Sequence, residues 1–456
     1  MSWIIARHSQ RPSFTPAFTR ASLASEIANV RSLFCKMAKR AATNDDGALR
    51  GALDKKRARS MTPGLGDIMG GGGYAAAGEA DEFTPLQRVV LSANGNLQRL
   101  ISSYHNSPVS VRVRFNRRLS HGLYAREVTL SVFGTRFAVA TSSVRLERAD
   151  CIAAVEERGV GIGQLFRHLN ILPDFELLAA GTLDAGAPLP REAALSAATD
   201  GDAGGGGGGA GGGAGDGDDD ADVARFWRRY VLSGEGVRCE IREVLRADVF
   251  ALEPPPPPPQ DAGLAASSSR GGSLGDLPSA AKGSFGDIMS PTVTGMELPD
   301  GFTPAQRLLL TANGNVERVV SSFYAEPVTT YVISHHKRAG AATGAVYDRQ
   351  VAMLTRGRQF MLAKTTVFVT DAAWQRAAED ERVPVGALFR HMREMPAFAL
   401  HSTGSGPGYF WRVYSLRASG MTCEINETFR DDVLAEEEDE EGGGETAALA
   451  DGAHGF

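Results

Sequence analysis

The chain carries the same sequence twice. The segment FTPLQRVVLSANGNLQRLISS at Phe83–Ser103 returns as FTPAQRLLLTANGNVERVVSS at Phe302–Ser322. Three further blocks return in the same order, and the last of them runs over Phe226–Phe250 and again over Phe410–Leu434. These copies are far longer than solenoid repeats, which have roughly 20–50 residues. The sequence therefore predicts two tandem domains of one fold, and a feature present in both copies constrains that fold twice.

The first copy contains an insertion that the second copy lacks. Equivalent residues lie 219 positions apart in the first block but only 184 positions apart in the last block. The extra residues include GDAGGGGGGAGGGAGDGDDDAD at Gly201–Asp222, a stretch that has no apolar surface to bury. We expect a disordered surface loop at about residues 178–223.

The repeats and the composition between them predict the domain boundaries. The linker opens with six consecutive prolines and continues with Ser, Gly and Ala, which is typical of a tether between domains. The predicted segments are a disordered N-terminal extension at 1–80, a first domain at 81–250, the linker at 251–299, a second domain at 300–436 and an acidic disordered tail at 437–456.

The N-terminal extension differs in composition from the rest of the chain. Its first 44 residues hold seven basic residues, a single acidic residue (Glu26) and many Ser and Thr. That composition is typical of a mitochondrial or plastid transit peptide. The alternative is a dispensable extension on a cytoplasmic protein that starts at Met37.

Composition excludes several classes of protein. The chain is 43% hydrophobic and 22% charged, with a formal net charge of -6, which disfavours a general nucleic-acid binder. No apolar run reaches the roughly 20 residues that a membrane span needs. Four cysteines are too few for a disulfide framework and lack the spacing of a metal site. Cys239 and Cys423 occupy equivalent positions on apolar strand faces, and we expect both to be small core residues.

Local patterns predict an α+β fold in each copy. Thr84 followed by Pro85 is a typical helix start, and a second helix follows after Gly95. Alternating apolar residues then predict antiparallel strands, a helix is expected around 162–169, and a hairpin closes the copy at 225–245. The predicted architecture is two tandem domains, each an antiparallel sheet packed against helices.

Two charged positions in each copy break the apolar face of the strands. Arg126 has the same parity as the apolar residues of its strand, and so does Glu243 on the last strand. The second copy repeats both violations at Arg349 and Glu427. An inward charge needs a partner, because an unpaired buried charge costs several kcal/mol.

Two interpretations fit these inward charges. In the first, Arg126 and Glu243 simply pair with each other inside the domain. In the second, a cavity between sheet and helices has one cationic and one anionic wall. The arginine then takes a ligand carboxylate through two parallel hydrogen bonds, and the glutamate accepts a hydroxyl or moves a proton. Arg228 and Arg412 share the inward parity of their strand and are candidates for a second anion contact.

These motifs resemble a known family. Each copy resembles the chorismate pyruvate-lyase fold, which is shared with the effector-binding domain of GntR-type bacterial transcription regulators. The resemblance covers about Phe83–Phe250 and Phe302–Leu434. It rests on the helix pair, the R-E/Q-V segment, the strands at Ala140–Val144 and Ala363–Val367, the G-x-L-F segment and the closing hairpin with its I-x-E motif.

The resemblance implies a reaction and a site. Chorismate lyase removes pyruvate from chorismate and leaves 4-hydroxybenzoate without a cofactor or a metal. Carried over to this sequence, the substrate-binding arginine falls on Arg126 and Arg349, the catalytic glutamate on Glu243 and Glu427, and a backbone contact near Gly163 and Gly386. The family's enzymes are single domains, whereas this chain has two.

We therefore expect tandem domains that bind a small aromatic or cyclohexadienyl carboxylate, with lyase activity as the leading specific function. The rival expectation is a non-catalytic ligand-binding or scaffold protein, because a fold does not determine function. Nucleic acid is not expected as a partner, and no membrane span is expected. The sequence leaves open whether the copies pack on each other as an intramolecular pseudo-dimer.

Overall fold

The computed structural model describes residues 82–160, 164–190, 195, 222–256, 298–339, 344–379 and 385–435. We call 82–256 the first repeat and 298–435 the second repeat, and both belong to one structural unit. The N-terminal extension, Gly163, the acidic tail, and most of the insertion and of the linker fall outside these residues, so the expectations about them stay predictions. Within the described ranges, no helix is long and apolar enough to cross a membrane.

The first repeat consists of helices and strands in mixed order. Its elements are α1 (Pro85–Leu91), α2 (Leu97–His105), β1 (Ser110–Ser120), β2 (Leu123–Val132), β3 (Thr135–Leu146), α3 (Ala149–Glu156), α4 (Leu165–His168), β4 (Asp174–Leu183), β5 (Arg225–Gly234) and β6 (Val237–Arg246). A single 3-10 turn at Val249–Ala251 follows the last strand.

The second repeat has the same elements in the same order. They are α5 (Pro304–Leu310), α6 (Val316–Tyr324), β7 (Thr329–Lys337), β8 (Ala345–Thr355), β9 (Arg358–Val369), α7 (Ala372–Glu379), α8 (Val385–His391), β10 (Ala397–Gly406), β11 (Tyr409–Arg417) and β12 (Met421–Arg430).

Each repeat forms one six-stranded antiparallel sheet. The strand order is β1-β2-β3-β6-β5-β4 in the first repeat and, in the same sense, β7-β8-β9-β12-β11-β10 in the second. The closing hairpin therefore inserts its last strand between β3 and β5, at the centre of the sheet. The predicted α+β architecture of two tandem domains is confirmed.

The sequence patterns predict most of these elements but not all of them. Helix α3 and strand β4 were not expected. Of the expected helix around 162–169, the described residues of the first repeat show an α-helix over Leu165–His168. Strand β4 extends to Leu183, so it includes the first residues of the range 178–223 that we expected to be an insertion. The sequence does not predict this strand, because DFELLAAGTL lacks a regular alternation of apolar and polar residues.

The helix pair begins with the same cap in both repeats. The Thr84 hydroxyl accepts a hydrogen bond from the backbone of Gln87, and the Gln87 side chain accepts one from the backbone of Thr84. Thr303 repeats this capping box in α5. Gly95 and Gly314 then take φ values of 94° and 92° in the turn to the next helix, a conformation that glycine adopts without steric cost. The repeated sequence thus dictates the start of each helix and the turn between them.

Alternation along the strands separates two faces of each sheet. We call the face that carries the buried apolar residues and the helices the inner face, and the opposite face the outer face. Val128, Leu130 and Cys239 lie on the inner face and are at most 6% exposed. The expectation that the equivalent cysteines are core residues is confirmed, since Cys423 is also buried.

The two repeats pack on each other through their N-terminal helix pairs. Helix α1 packs on α6, and α2 packs on α5. The apolar interior is continuous between the repeats, because one cluster contains both Tyr124 and Tyr347. A short antiparallel bridge between Ile171 and Glu394 joins the two backbones.

Equivalent arginines hold the helix ends of the opposite repeat. Arg88 of α1 donates to the carbonyls of Ser322 at 3.1 Å and Phe323 at 2.5 Å, in the last turn of α6. Arg307 of α5 does the same to the last turn of α2, at 3.0 and 2.6 Å. The last carbonyls of a helix have no partner within it, and they form the negative end of its dipole. Each repeat therefore supplies the C-terminal cap of a helix in the other.

Two more arginines are buried between the repeats. Arg99 is 1% exposed and lies 5.5 Å from the ring centre of Phe398, and Arg318 lies 5.4 Å from that of Phe175. Each also donates to a backbone carbonyl of the other repeat. Burial of such a cation is tolerated only where hydrogen bonds replace its hydration. The interface is thus organised by charged donors as well as by apolar contact.

The caps between repeats predict a stability effect. Arg88→Ala should lower the free energy of unfolding by about 2–4 kcal/mol, because charge-assisted bonds to several carbonyls are lost. Denaturant unfolding of the full chain measures this. Arg358→Ala, which removes an exposed ion pair with Asp432, is the control and should cost less than about 1 kcal/mol. A loss for Arg88→Ala as small as that of the control would contradict the role of the cap.

Candidate functional site

A buried ion pair lies on the inner face of the first repeat. Arg228 on β5 and Glu243 on β6 are direct partners in the strand register. Nε and Nη2 of Arg228 each lie 2.7 Å from Oε2 of Glu243. Arg228 is 0% exposed and Glu243 is 6% exposed. Because both charges are out of water, each depends on the other for its stability.

Other groups complete the bonding of this pair. Tyr230 donates its hydroxyl to Oε1 of Glu243 at 3.0 Å. Nη1 of Arg228 donates to the carbonyls of Leu91 at 3.0 Å and Ala93 at 2.5 Å. Leu91 is the last residue of α1, so these hydrogen bonds from Arg228 connect the C-terminal end of that helix to the sheet.

The second repeat reproduces the whole arrangement. Nε of Arg412 lies 2.7 Å from Oε2 of Glu427, and Tyr414 donates to Oε1 of Glu427 at 2.9 Å. Arg412 also donates to the carbonyls of Leu310 and Ala312. Both repeats therefore bury the same ion pair with the same set of hydrogen-bond partners.

The tyrosines of the two clusters stay protonated at neutral pH. Burial raises the pKa of Tyr230 well above 10.0, and the nearby Glu243 carboxylate raises it further. The same causes act on the pKa of Tyr414. The guanidinium of Arg228 also lies 4.4 Å from the ring centre of Tyr230, a favourable cation–π geometry. Each tyrosine is therefore a fixed donor to its glutamate.

The partner of Glu243 is not the residue that the first interpretation proposed. Strand parity suggested a pair of Arg126 with Glu243, whereas Glu243 pairs with Arg228. Arg126 lies on β2 opposite Ser142 of β3, and two strand spacings, about 10 Å, separate β2 from β6. The structure thus brings Glu243 and Arg228 together and leaves Arg126 at a separate place on the same face. The second repeat is divided in the same way.

Arg126 and Arg349 differ from the other inner-face arginines, Arg228 and Arg412, in their surroundings. Both side chains are half-buried, and burial lowers the pKa of both guanidinium groups. Within the described residues, the hydrogen bonds of the protein include no acceptor for either guanidinium. An anion that bound there would form charge-assisted hydrogen bonds and relieve the loss of hydration.

A buried thiol lies near each of these arginines. Burial raises the pKa of Cys239 to about 12, and the positive charge of Arg126 offsets this only in part. Cys423 has a pKa of about 12 for the same reason, with Arg349 as the neighbouring charge. Both thiols are therefore neutral at physiological pH, and neither supplies a negative partner for its arginine.

A tyrosine–glutamate pair also lies beside each arginine, and the sequence patterns did not single it out. Tyr124 precedes Arg126 by two residues on the same face and donates to Glu156 of α3 at 2.5 Å. Tyr347 donates to Glu379 of α7 in the same way. The available signal was a tyrosine at the same spacing before the arginine in both copies. The carboxylate could not be foreseen, because helix α3 was not expected.

The two arginine sites differ in one neighbour. Asn116 of β1 is opposite Arg126, whereas His335 of β7 is opposite Arg349. The His335 ring stacks on Tyr347 with ring centres 5.5 Å apart. Burial and the charge of Arg349 lower the pKa of His335 below its ordinary value of 6.5, so the ring is neutral at pH 7. The second site therefore has one more aromatic wall than the first.

The two candidate glycines, Gly163 and Gly386, add little to the description of the site. Gly386 is the second residue of α8, and Gly163 lies outside the described residues. Among the residues that the structure describes, no group of three or more His, Cys, Asp or Glu side chains could hold a metal ion. The inner face of each sheet thus carries one half-buried arginine that has no acceptor among the described residues, Arg126 in the first repeat and Arg349 in the second.

No protein-family model and no curated protein matches this chain.

The buried pair predicts a large stability effect. Arg228→Met should lower the free energy of unfolding by about 3–5 kcal/mol, because the charge of Glu243 stays buried without its partner. Arg228→Met/Glu243→Leu should recover much of that loss, since no buried charge remains. Denaturant unfolding compares both variants with Arg145→Met, an exposed outer-face control that should change little. If Arg228→Met matched the control, the pair would not be essential to the fold.

The buried thiols predict a loss of stability at alkaline pH. Their folded pKa of about 12 lies above the value of about 8.5 in an unfolded chain. A raised folded pKa contributes stability that is present below about pH 8.5 and is lost as pH rises toward 12, because the unfolded chain releases the proton first. At pH 10 the loss should be about 2 kcal/mol per thiol. Denaturant unfolding at pH 8 and pH 10 measures it. In the variant Cys239→Ala/Cys423→Ala the free energy of unfolding should depend less on pH. The same pH dependence as in the unchanged chain would refute the assignment of this loss to the two thiols.

Proposed function

We propose that each repeat binds a small carboxylate-bearing ring compound on the inner face of its sheet. Arg126 takes the carboxylate in the first repeat, and Arg349 takes it in the second. The observation that carries the proposal is a half-buried guanidinium that has no acceptor among the described residues, in both repeats. Such a cation loses hydration without compensation until an anion binds.

The surroundings of the arginines fit a ligand that is partly apolar. The planar guanidinium matches a carboxylate in two parallel hydrogen bonds. Tyr124 or Tyr347 lies beside the arginine on the same face and offers an aromatic wall. The resemblance to the chorismate-lyase fold, with which the antiparallel sheets and helices are compatible, points to an aromatic or cyclohexadienyl carboxylate such as 4-hydroxybenzoate or chorismate.

Conversion of chorismate to 4-hydroxybenzoate and pyruvate is the reaction that the resemblance implies. In that reaction Glu243 and Glu427 would handle the proton. Each of them already accepts bonds on both oxygens, from its arginine and from its tyrosine. To take a proton, Glu243 would have to weaken its bond to Arg228, which is then a buried charge without its full partner. This observation favours ligand binding without turnover as the second candidate function.

The test uses the purified full chain with two readouts. Incubation with chorismate is followed for 4-hydroxybenzoate and pyruvate, and 4-hydroxybenzoate is titrated in thermal unfolding, because a ligand of the folded state raises the unfolding temperature. Arg126→Ala/Arg349→Ala should weaken ligand binding by about 1.5–3 kcal/mol for each charged hydrogen bond lost. The control is Arg145→Ala/Arg417→Ala, which removes the same charge from the outer faces.

The outcomes separate the candidate functions. Pyruvate release that the inner-face variant abolishes would establish a lyase. Stabilisation by 4-hydroxybenzoate without pyruvate release, lost in the inner-face variant and kept in the control, would establish a binding protein. Neither release nor stabilisation, or equal effects of the two variants, would refute the proposal.

A further inference from the structure

The inner-face arginine of each repeat has a polar neighbour on the end strand of its sheet. Asn116 of β1 is the direct partner of Arg126 of β2. His335 of β7 is the direct partner of Arg349 of β8. Side chains in direct cross-strand positions have Cβ atoms about 4.5–5.5 Å apart. The amide or imidazole group can therefore contact the same small ligand as the guanidinium group opposite it.

These two polar side chains are open to a ligand. Within the described residues, no hydrogen bond of the protein involves the Asn116 amide group or either ring nitrogen of His335. The contact of the His335 ring is with its face, which stacks on Tyr347. Strands β1 and β7 are the end strands of their sheets, and Asn116 and His335 are exposed. An anion that arrives from solvent over the end strand therefore meets this side chain and the arginine together.

The other charged groups on this side of His335 are paired with each other. Lys337, two residues further along β7, donates to Glu379 of α7 at 2.7 Å. Tyr347 donates its hydroxyl to the same carboxylate. The hydrogen bonds from Lys337 and Tyr347 hold the pKa of Glu379 below its ordinary value, so this carboxylate stays ionised. Arg349 is thus the neighbouring charge for which the described residues supply no acceptor.

The first repeat has the same surroundings without a titratable end-strand residue. Arg118 takes the place of Lys337, and its Nε lies 3.3 Å from Oε1 of Glu156. Tyr124 donates to Glu156 as well. The Asn116 amide is a neutral hydrogen-bond donor at every pH. The two sites therefore differ in whether the second donor can gain a charge.

The charge of His335 depends on what lies between it and Arg349. Partial burial lowers the pKa of His335, and the positive charges of Arg349 and of His336 on the outer face lower it further. The nearby Cys423 thiol is neutral and does not offset them. A bound carboxylate acts in the opposite direction, because an anion favours the protonated ring. Binding of an anion and binding of a proton are therefore coupled at this site, and the coupling is reciprocal.

We propose that Asn116 and His335 are the second anion contacts of the two sites, and that His335 makes the second site bind a carboxylate more tightly as pH falls. This inference rests on the proposed function, since it takes Arg126 and Arg349 as the first contacts. At acidic pH the imidazolium and the guanidinium bind the carboxylate together through charge-assisted hydrogen bonds. The first site keeps a constant affinity, because its amide does not titrate.

The direction of the pH dependence follows from the coupling. The bound anion raises the pKa of His335 above its value in the free protein, so the complex takes up a proton that the free protein lacks. Affinity at the second site therefore increases as pH falls through these two pKa values. The increase ends where the carboxyl group of the ligand becomes protonated, at about pH 4. One chain thus combines a pH-independent site and a pH-dependent site for the same class of ligand.

The test measures binding of 4-hydroxybenzoate to the full chain by calorimetry at pH 7.5 and pH 5.5, one site at a time. Arg126→Ala leaves the second site, and Arg349→Ala leaves the first. The second site should bind at least about threefold more tightly at pH 5.5. The first site should change by less than about twofold, because Asn116 stays neutral. A purely structural role of the His335 ring would not produce this difference.

Exchange of the two end-strand residues provides the matched variants. His335→Asn in the Arg126→Ala chain gives the second site the residue of the first and should remove its pH dependence. Asn116→His in the Arg349→Ala chain should introduce a pH dependence at the first site. His336→Asn is the control, because it removes a neighbouring histidine from the outer face and should leave the pH dependence in place.

A second measurement does not depend on the proposed ring compound. NMR titration of the His335 ring, with its signals assigned by their loss in His335→Asn, gives its pKa in the full chain with and without an excess of acetate. Acetate should raise this pKa, because the small carboxylate binds between the ring and Arg349. In the Arg349→Ala chain acetate should have little effect.

The outcomes separate this inference from the proposed function. Affinity for 4-hydroxybenzoate at the second site that does not increase as pH falls would overturn the role of His335 and leave the proposed function standing. An increase that survives His335→Asn, or that His336→Asn abolishes equally, would do the same. No binding of 4-hydroxybenzoate, together with a pKa of His335 that acetate raises, would refute the proposed function and support the anion contact. No binding and no effect of acetate would refute both.

Discussion

The architecture depends on arginine side chains that bind the carbonyl groups at helix ends. Arg228 reaches from the centre of the sheet to the end of α1, and Arg88 reaches from α1 to the end of α6 in the other repeat. Sheet, helix and neighbouring repeat are therefore joined by one type of contact. Each contact satisfies carbonyls that the helix cannot satisfy itself. Because the guanidinium groups are buried or half-buried, their geometry is fixed by the protein and not by solvent.

This dependence separates two kinds of inward arginine. Arg228 gives its donors to Glu243 and to helix carbonyls, so its charge is explained by the fold. Arg126 shares the face but has no acceptor among the described residues. A ligand carboxylate would compete with protein acceptors at Arg228, whereas it would meet none of them at Arg126. Arg126 and Arg349 are therefore the proposed ligand contacts, whereas Glu243 and Glu427 stabilise the structure through their buried ion pairs.

The fold could be predicted from the sequence further than the site could. Repetition and alternation give the number of domains, the antiparallel strands and the inward positions of Arg126 and Glu243. Parity assigns a residue to a face but does not say which strand is its neighbour. The pairing of Glu243 with Arg228 follows from the position of β6 between β3 and β5, which no local pattern contains. The role of Arg88 could not be predicted for a similar reason, since its acceptors lie in the other repeat.

Duplication makes each repeat a control for the other. A charge that recurs together with its partner, as in the pairs of Arg228 with Glu243 and Arg412 with Glu427, is accounted for by the shared fold. A charge that recurs without a partner, as at Arg126, needs a cause that both repeats share, and a common ligand is such a cause.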